Sequence, residues 1–212
     1  MQRMTSSKNL SLALAATLFM SAGAAWAQSE NSQAPDSPQA WRLEGTTVRL
    51  DRMLDTRTAK QGDQVEAKLD DSVKTTDGMK LPKGTELMGT VTAVQPFQNG
   101  SASSISVRFD QAKLKDGKTV PVKVTIIGAY PTDEEQLAVY GQQTMGSAPR
   151  HVPSQDRFDQ EPGVLNKIAM TSRVSGHNSA TFSESKGDVK LDAGTFLQVG
   201  IAQNNRSTTS GM

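Results

Sequence analysis

The chain has 212 residues, enough for one domain with tails or a domain plus a small appendage, and it contains no cysteine, which excludes a disulfide framework and a lipid-anchored N-terminus. Lys and Arg number 23 against 22 Asp and Glu, so no basic or acidic excess marks it for nucleic acid or for an acidic membrane surface. Aromatic residues make up only 5% of the chain, and with nine methionines the expected core is aliphatic and modest in size.

The first 27 residues read as a cleavable signal peptide. Arg3 and Lys8 give a basic start, Leu10 to Ala25 is an apolar run, and Ala25-Trp26-Ala27 fits the small-x-small cleavage rule. The apolar run is short for a membrane span of about 20 residues. Its removal takes away two cations and no anion, leaving 21 basic against 22 acidic side chains, a formal charge of −1. No later stretch reaches spanning length, so the mature chain is expected to be exported, periplasmic or extracellular, with no transmembrane span.

Residues 28–40 hold two prolines and no aliphatic side chain larger than Ala, the composition of a flexible linker. The β domain is expected over 41–202. Trp41, Leu43, Val48 and Leu50 open it, with Glu44-Gly45 as a turn. Arg49-Asp51-Arg52 and Asp55-Arg57 read as a solvated face or turn. Gly62-Asp63 leads into a strand carrying Val65, Ala67 and Leu69, which Val73 extends before Asp77-Gly78 turns the chain.

From Leu81 to Ile127 three alternating segments follow one another. Leu87, Gly89, Val91 and Ala93 share one face of the first; Ile105, Val107 and Phe109 line the second; Val120, Val122, Val124 and Ile126 line the third. Asn99-Gly100 and Asp116-Gly117 separate them, and period-two alternation broken by such dipeptides predicts hairpins. The expected centre is therefore an antiparallel meander with one buried face. The expected core is Val65, Leu69, Leu87, Val91, Val107, Phe109, Val122 and Val124.

Pro131 to Tyr140 has the grammar of a short helix, with Thr132 or Asp133 as cap and Glu135 as its partner. An irregular insertion is expected over about 131–163. Its stretch from Gly141 to Pro162 is either a disordered loop or a partner-binding segment using Met145, Val152 and Phe158. Order returns at Val164, Leu165, Ile168 and Met170, then Val174, then Ala180-Thr181-Phe182. A last strand is expected to take Leu191, Phe196 or Leu197, Val199 and Ile201, followed by a polar tail over 203–212.

One unit recurs. Gly45-Thr46, Gly84-Thr85 and Gly194-Thr195 are each followed by an apolar residue two places on. The two later copies share the frame Leu81-Pro82-Lys83-Gly84-Thr85 and Leu191-Asp192-Ala193-Gly194-Thr195. A tight turn delivering a strand is the physical reading, and its repetition suggests pseudo-symmetric halves of a barrel or sandwich.

No chemistry-bearing constellation emerges. His151 and His177 lie far apart without ligand-spaced partners, and Asp70-Asp71 and Asp77-Gly78 fit turns better than a calcium loop. There is no Gly-x-Ser-x-Gly, and Asp110, at an expected strand end, has no partner acid among clustered aromatics. No catalytic, cofactor-binding or metal-binding residue is therefore assigned, no cofactor is expected, and the chain is expected not to be an enzyme. Aromatic girdles are lacking, which favours a packed domain over an outer-membrane barrel. The run Ser101 to Ser106 is read as the polar half of an edge strand, with a glycan or partner contact as the alternative.

Several segments resemble the C-terminal domain of the TrbI-type scaffold proteins of conjugation and type IV secretion. They are Gly62-Asp63-x-Val65-x-Ala67-x-Leu69, Leu81-Pro82-Lys83-Gly84-Thr85-Glu86-Leu87-Met88-Gly89, Val107-Arg108-Phe109 through Leu114-Lys115-Asp116-Gly117, and Gly194-Thr195-Phe196-Leu197. The resemblance implies a small antiparallel β-barrel without enzymatic activity, assembling with envelope proteins or with copies of itself. In that family a helical hairpin stands where Tyr130 to Val164 stands here, and a membrane anchor replaces the signal peptide. The alternative from another class is a secreted binding domain for cell-wall or extracellular polysaccharide.

Overall fold

The computed structural model describes residues 42–132, 152 and 154–203, and the described residues are all-β, with no helix. Thirteen strands follow in order: β1 Glu44–Leu50, β2 Leu54–Asp55, β3 Gln64–Leu69, β4 Val73–Lys74, β5 Lys80–Leu81, β6 Glu86–Gln95, β7 Ser103–Lys113, β8 Thr119–Tyr130, β9 Arg157–Leu165, β10 Ile168–Arg173, β11 Ala180–Glu184, β12 Lys190–Leu191 and β13 Phe196–Gln203. The expectations for the signal peptide, the linker, Trp41, the short helix beyond Thr132, Met145, His151 and residues 204–212 of the tail lie outside the described residues.

Six of these strands close an antiparallel barrel in the order β6-β3-β1-β13-β8-β7, with β7 returning to β6. Closure removes the open edges that a flat sheet of this length would leave. The central meander forms as alternation and turn chemistry require: β6, β7 and β8 pair antiparallel, and Asn99, Gly100 and Gly117 take positive φ at the two reversals. All eight expected core residues are buried. They join Val48, Leu50, Ile105, Ile126, Leu197, Val199 and Ile201 in one aliphatic core.

Bulges shift the inward parity at three places along the meander, the first at Asp110, which is extra between Gly89↔Phe109 and Met88↔Gln111 so that Phe109 and Ala112 both pack inward. Thr92 has no partner between the pairs Val91↔Val107 and Ala93↔Ser106, so Ala93, expected on the buried face, turns outward and Val94 packs inward instead. The third is Ile127, extra between Val199↔Ile126 and Gln198↔Gly128. Inward packing therefore passes from Ile126 to Ala129.

Above the short pairing of β7 with β8, which covers Gln111 to Lys113, the two strands part and β11 and β10 enter as a wedge. Phe182 lies opposite Ile105 and Ala180 opposite Val107, so the wedge continues the core. The Ser101 to Ser106 run therefore belongs to no edge strand. β7 lies between β6 and β11, and Ser103 and Ser106 are buried. Asp110, placed by sequence at a strand end, sits within β7 and pairs with Arg108 at 3.0 Å.

Three further expectations are corrected by pairing. Glu44-Gly45 is no turn: both residues are in β1, opposite Ile201 and Gly200. Val73 does not extend β3 and Leu191 does not begin β13; each belongs to a two-residue strand, β4 paired with β5 and β12 paired with β2. The irregular stretch also ends sooner than 163, because β9 begins at Arg157.

Candidate functional site

The recurring turn is a structural device, and the barrel uses it twice. Gly84 and Gly194 have φ of +81° and +86°, a conformation that L side chains rarely adopt. Thr85 Oγ1 donates to Pro82 O at 2.7 Å, and Thr195 Oγ1 donates to Asp192 O at the same distance. The amide of Gly84 donates to Leu69 O while Leu69 N donates to Thr85 O; the amide of Gly194 donates to Leu50 O while Leu50 N donates to Thr195 O. The Gly45-Thr46 copy lies inside β1 and makes no such turn.

The likeness extends residue by residue. Val48↔Leu197 and Thr47↔Gln198 in β1–β13 have as counterparts Ala67↔Leu87 and Glu66↔Met88 in β3–β6. Leu54↔Leu191 corresponds to Val73↔Leu81. Between β1 and β3 the pairs Val48↔Leu69 and Leu50↔Ala67 exchange under the same operation, which places a pseudo-twofold axis at Arg49↔Lys68. Even the ion pairs obey it: Arg49–Asp70 at 2.8 Å and Lys68–Asp51 at 2.9 Å are counterparts.

The two halves differ at one end. In the β4–β5 corner Thr75 N donates to Met79 O, and Asp77-Gly78 joins the strands as a continuous turn. In the β2–β12 corner Thr56 N donates to Val189 O in the same way, but the chain between them is cut open and residues 57–188 run elsewhere. Side chains replace the missing peptide there. Thr56 Oγ1 donates to Asp188 Oδ1 at 2.9 Å, and Phe97 N donates to the same oxygen. Ser103 Oγ donates to Gly187 O at 2.6 Å and accepts from Val189 N.

Asp55 belongs to this joint: of the two readings its sequence allowed, it leads into a turn over residues 56–58 and does not lie on a solvated face, being 2% exposed. Arg57 donates to it through its backbone N–H, Nε and Nη2, the last at 2.6 Å. The hydrogen bond from the Arg57 side chain is the largest influence holding the Asp55 carboxyl below the usual carboxylate range, against the opposing effect of burial. The joint can hold main chain and a carboxylate in register. It offers no nucleophile beside a base, and among the described residues no group of three or more His, Cys, Asp or Glu is placed to hold a metal ion. His177 is exposed on the loop before β11.

The partner surfaces expected from sequence are arranged differently from the expectation. Val152 and Phe158 are buried, with Leu43, Val174 and Ala202, in a second small cluster to which Ile127 adds from β8. Gly200 leaves room for it: a Cβ there would lie 2.8 Å from Leu43. These two side chains are therefore occupied within the chain itself. The nine-stranded sheet ends on β9, where Arg157, Asp159, Glu161 and Pro162 are exposed, a blunted edge for strand pairing. Among the described residues every Phe and Tyr is buried or half-buried, and Met53 is the only large apolar side chain that is exposed. No helix among them is long and apolar enough to cross a membrane.

No family model matches the sequence, and no curated protein does. Among solved structures the chain is similar to ComB10 of the Com type IV secretion system of Helicobacter pylori, at 10% identity and a TM-score of 0.34. The match covers 77% of this chain and 86% of that one, a weak and partial likeness.

Proposed function

We propose that this chain is an exported, non-catalytic β-barrel module of the cell envelope, acting through contacts with envelope proteins or with its own copies. The observation that carries the reading is the identity of the residues that build the corners. Leu81 to Gly89 and Gly194 to Leu197, the segments of the TrbI-type resemblance, are those that fix the duplicated turn and its strands. Buried polar side chains serve the same frame. Ser103, Ser172, Ser179, Thr85 and Thr195 all bond main-chain groups, as parts of a rigid support do.

Two measurements test the reading. Fractionation of cells producing the chain with a C-terminal epitope tag is expected to find it processed after Ala27, in the periplasm, the envelope or the medium. Retention of unprocessed chain in the cytoplasm overturns export. Light scattering on the chain from Gln28, with cross-linking in cells, is expected to show a defined oligomer or a captured envelope protein. A strict monomer that cross-links to nothing overturns the interaction role.

A further inference from the structure

The pseudo-twofold axis sets two versions of one hairpin side by side, one closed by a peptide turn and one cut at its tip. We infer that the cut version is an exchangeable joint: the arm Arg42–Asp55, carrying β1 and β2, can be supplied by a second copy of this chain. The inference rests on the reading of a self-associating module and names the route of association.

The energetics of exchange follow from what is kept. The arm anchors itself with Leu43, Val48, Leu50 and Leu54, all buried, and with the ladders to β13 and β3. Every one of these contacts is remade when an identical arm from another copy occupies the same place. The Thr56–Asp188 and Thr56–Val189 bonds are remade too, because they join ends that are already far apart in sequence. What changes is the segment Arg57–Asp63. At present it folds back through Thr58 N and Ala59 N donating to Asp55 O and through Lys60 N donating to Asp63 Oδ2, and its end is tied to β6 by Gly62 N donating to Val91 O and Val91 N donating to Asp63 O. With that tie to β6 kept, the five residues Arg57–Gln61 span roughly 17 Å when opened, and roughly 23 Å if the tie is released as well, enough to pass to a barrel packed alongside. The counterpart hairpin has no such freedom. Thr75 to Met79 is continuous chain, so its strands stay within one molecule.

The absence of cysteine makes a direct test possible, since introduced thiols have no competitors. Thr47→Cys with Gln198→Cys places a pair across β1–β13, and Glu66→Cys with Met88→Cys places the twofold-equivalent pair across β3–β6. Each double variant is incubated as folded protein at high concentration, oxidised, and run on a non-reducing denaturing gel. The expected result is a covalent dimer from the first variant and monomer alone from the second. Monomer from both overturns the exchange, and so do dimers from both, which report collision or some other contact. Ala59→Pro supplies a test without thiols. It removes an N–H that closes the fold-back onto Asp55 O, and the dimer fraction by light scattering is expected to rise several-fold; an unchanged or lower fraction overturns the joint. An oligomer by light scattering with no covalent dimer and no effect of Ala59→Pro leaves the module reading standing while this route fails.

Discussion

Ser179 occupies the point where β7 and β8 part. Its N–H donates to Val107 O and its carbonyl accepts from Ile126 N, so its backbone bridges both strands. Its hydroxyl repeats the bridge, accepting from Phe109 N at 3.0 Å and donating to Val124 O at 2.7 Å. Ser179→Ala leaves a buried donor and a buried acceptor without partners and is expected to cost about 2–3 kcal/mol in denaturant unfolding. Thr125 is the opposite case. Its Oγ1 is buried with no hydrogen-bond partner, so Thr125→Val, nearly the same shape, is expected to stabilise by about 1 kcal/mol in the same measurement. Asp55 sets a pH dependence of definite sign. Its folded pKa is depressed, chiefly by the bond from Arg57, so it contributes stability above the unfolded value of about 3.9. That contribution is lost as pH falls through the lower folded value. Arg57 stays largely in water, so Asp55→Asn strands no buried cation and is expected to cost about 1–3 kcal/mol at neutral pH. The gap in stability between the two proteins should therefore narrow steadily as the pH is lowered below the unfolded value; a gap that does not change with pH there means the carboxylate charge is not what matters.

The two corners make a prediction about elements. Gly84 and Gly194 hold the same left-handed conformation in the same hydrogen-bond frame, and a Cβ would meet Lys115 Cε at 3.1 Å in one and Thr132 Cγ2 at 3.0 Å in the other. Gly84→Ala and Gly194→Ala are therefore expected to destabilise by similar amounts, about 1–3 kcal/mol each, and to add in the double variant because the turns share no partner. A large difference between the single variants would mean that the halves are unequal where their backbones agree. These turns, and the meander from Leu87 to Ile126, were legible in the sequence because their determinants are local: glycine placement, Asn-Gly and Asp-Gly reversals, and alternation. What stayed hidden depends on residues distant in the chain. The bulge at Thr92 leaves no mark in composition, yet it turns Ala93 outward; its hydroxyl bonds Ser106 O and Asn178 Oδ1 instead. Asp55 looked like surface because Lys190, its partner across β2–β12, and Asp188 and Val189, which hold the adjoining Thr56, arrive more than a hundred residues later. Leu191 looked continuous with β13 since a two-residue strand is too short to show a period.

At the scale of the molecule, one seam is built differently from the rest of the wall. Where β8 leaves β7, its edge is met by side chains of the appended strands: Ser172 Oγ donates to Ile126 O, and Gln160 both donates to Ala129 O and accepts from Ala129 N. Leu165, Ile168 and Met170 carry the barrel core out to β9 and β10, and Leu43, Val152, Phe158, Val174 and Ala202 form a second, smaller cluster beside it. Side-chain bonds in place of a strand ladder make this the region expected to open before the whole molecule unfolds. Hydrogen exchange is expected to show this as a division among amides. Leu50 and Leu69, whose N–H groups are locked into the two corners, should exchange only with global unfolding, whereas Ala129 should exchange through a cheaper local opening. Gln160→Ala removes both bonds to Ala129. It should speed that amide by roughly ten- to thirty-fold, the equivalent of 1.4–2 kcal/mol, while Leu50 and Leu69 slow or quicken only as far as global stability moves. If Ala129 instead exchanges in step with Leu50 in the unaltered protein, β9 and β10 are part of one cooperative barrel, and the seam is as strong as a strand pair.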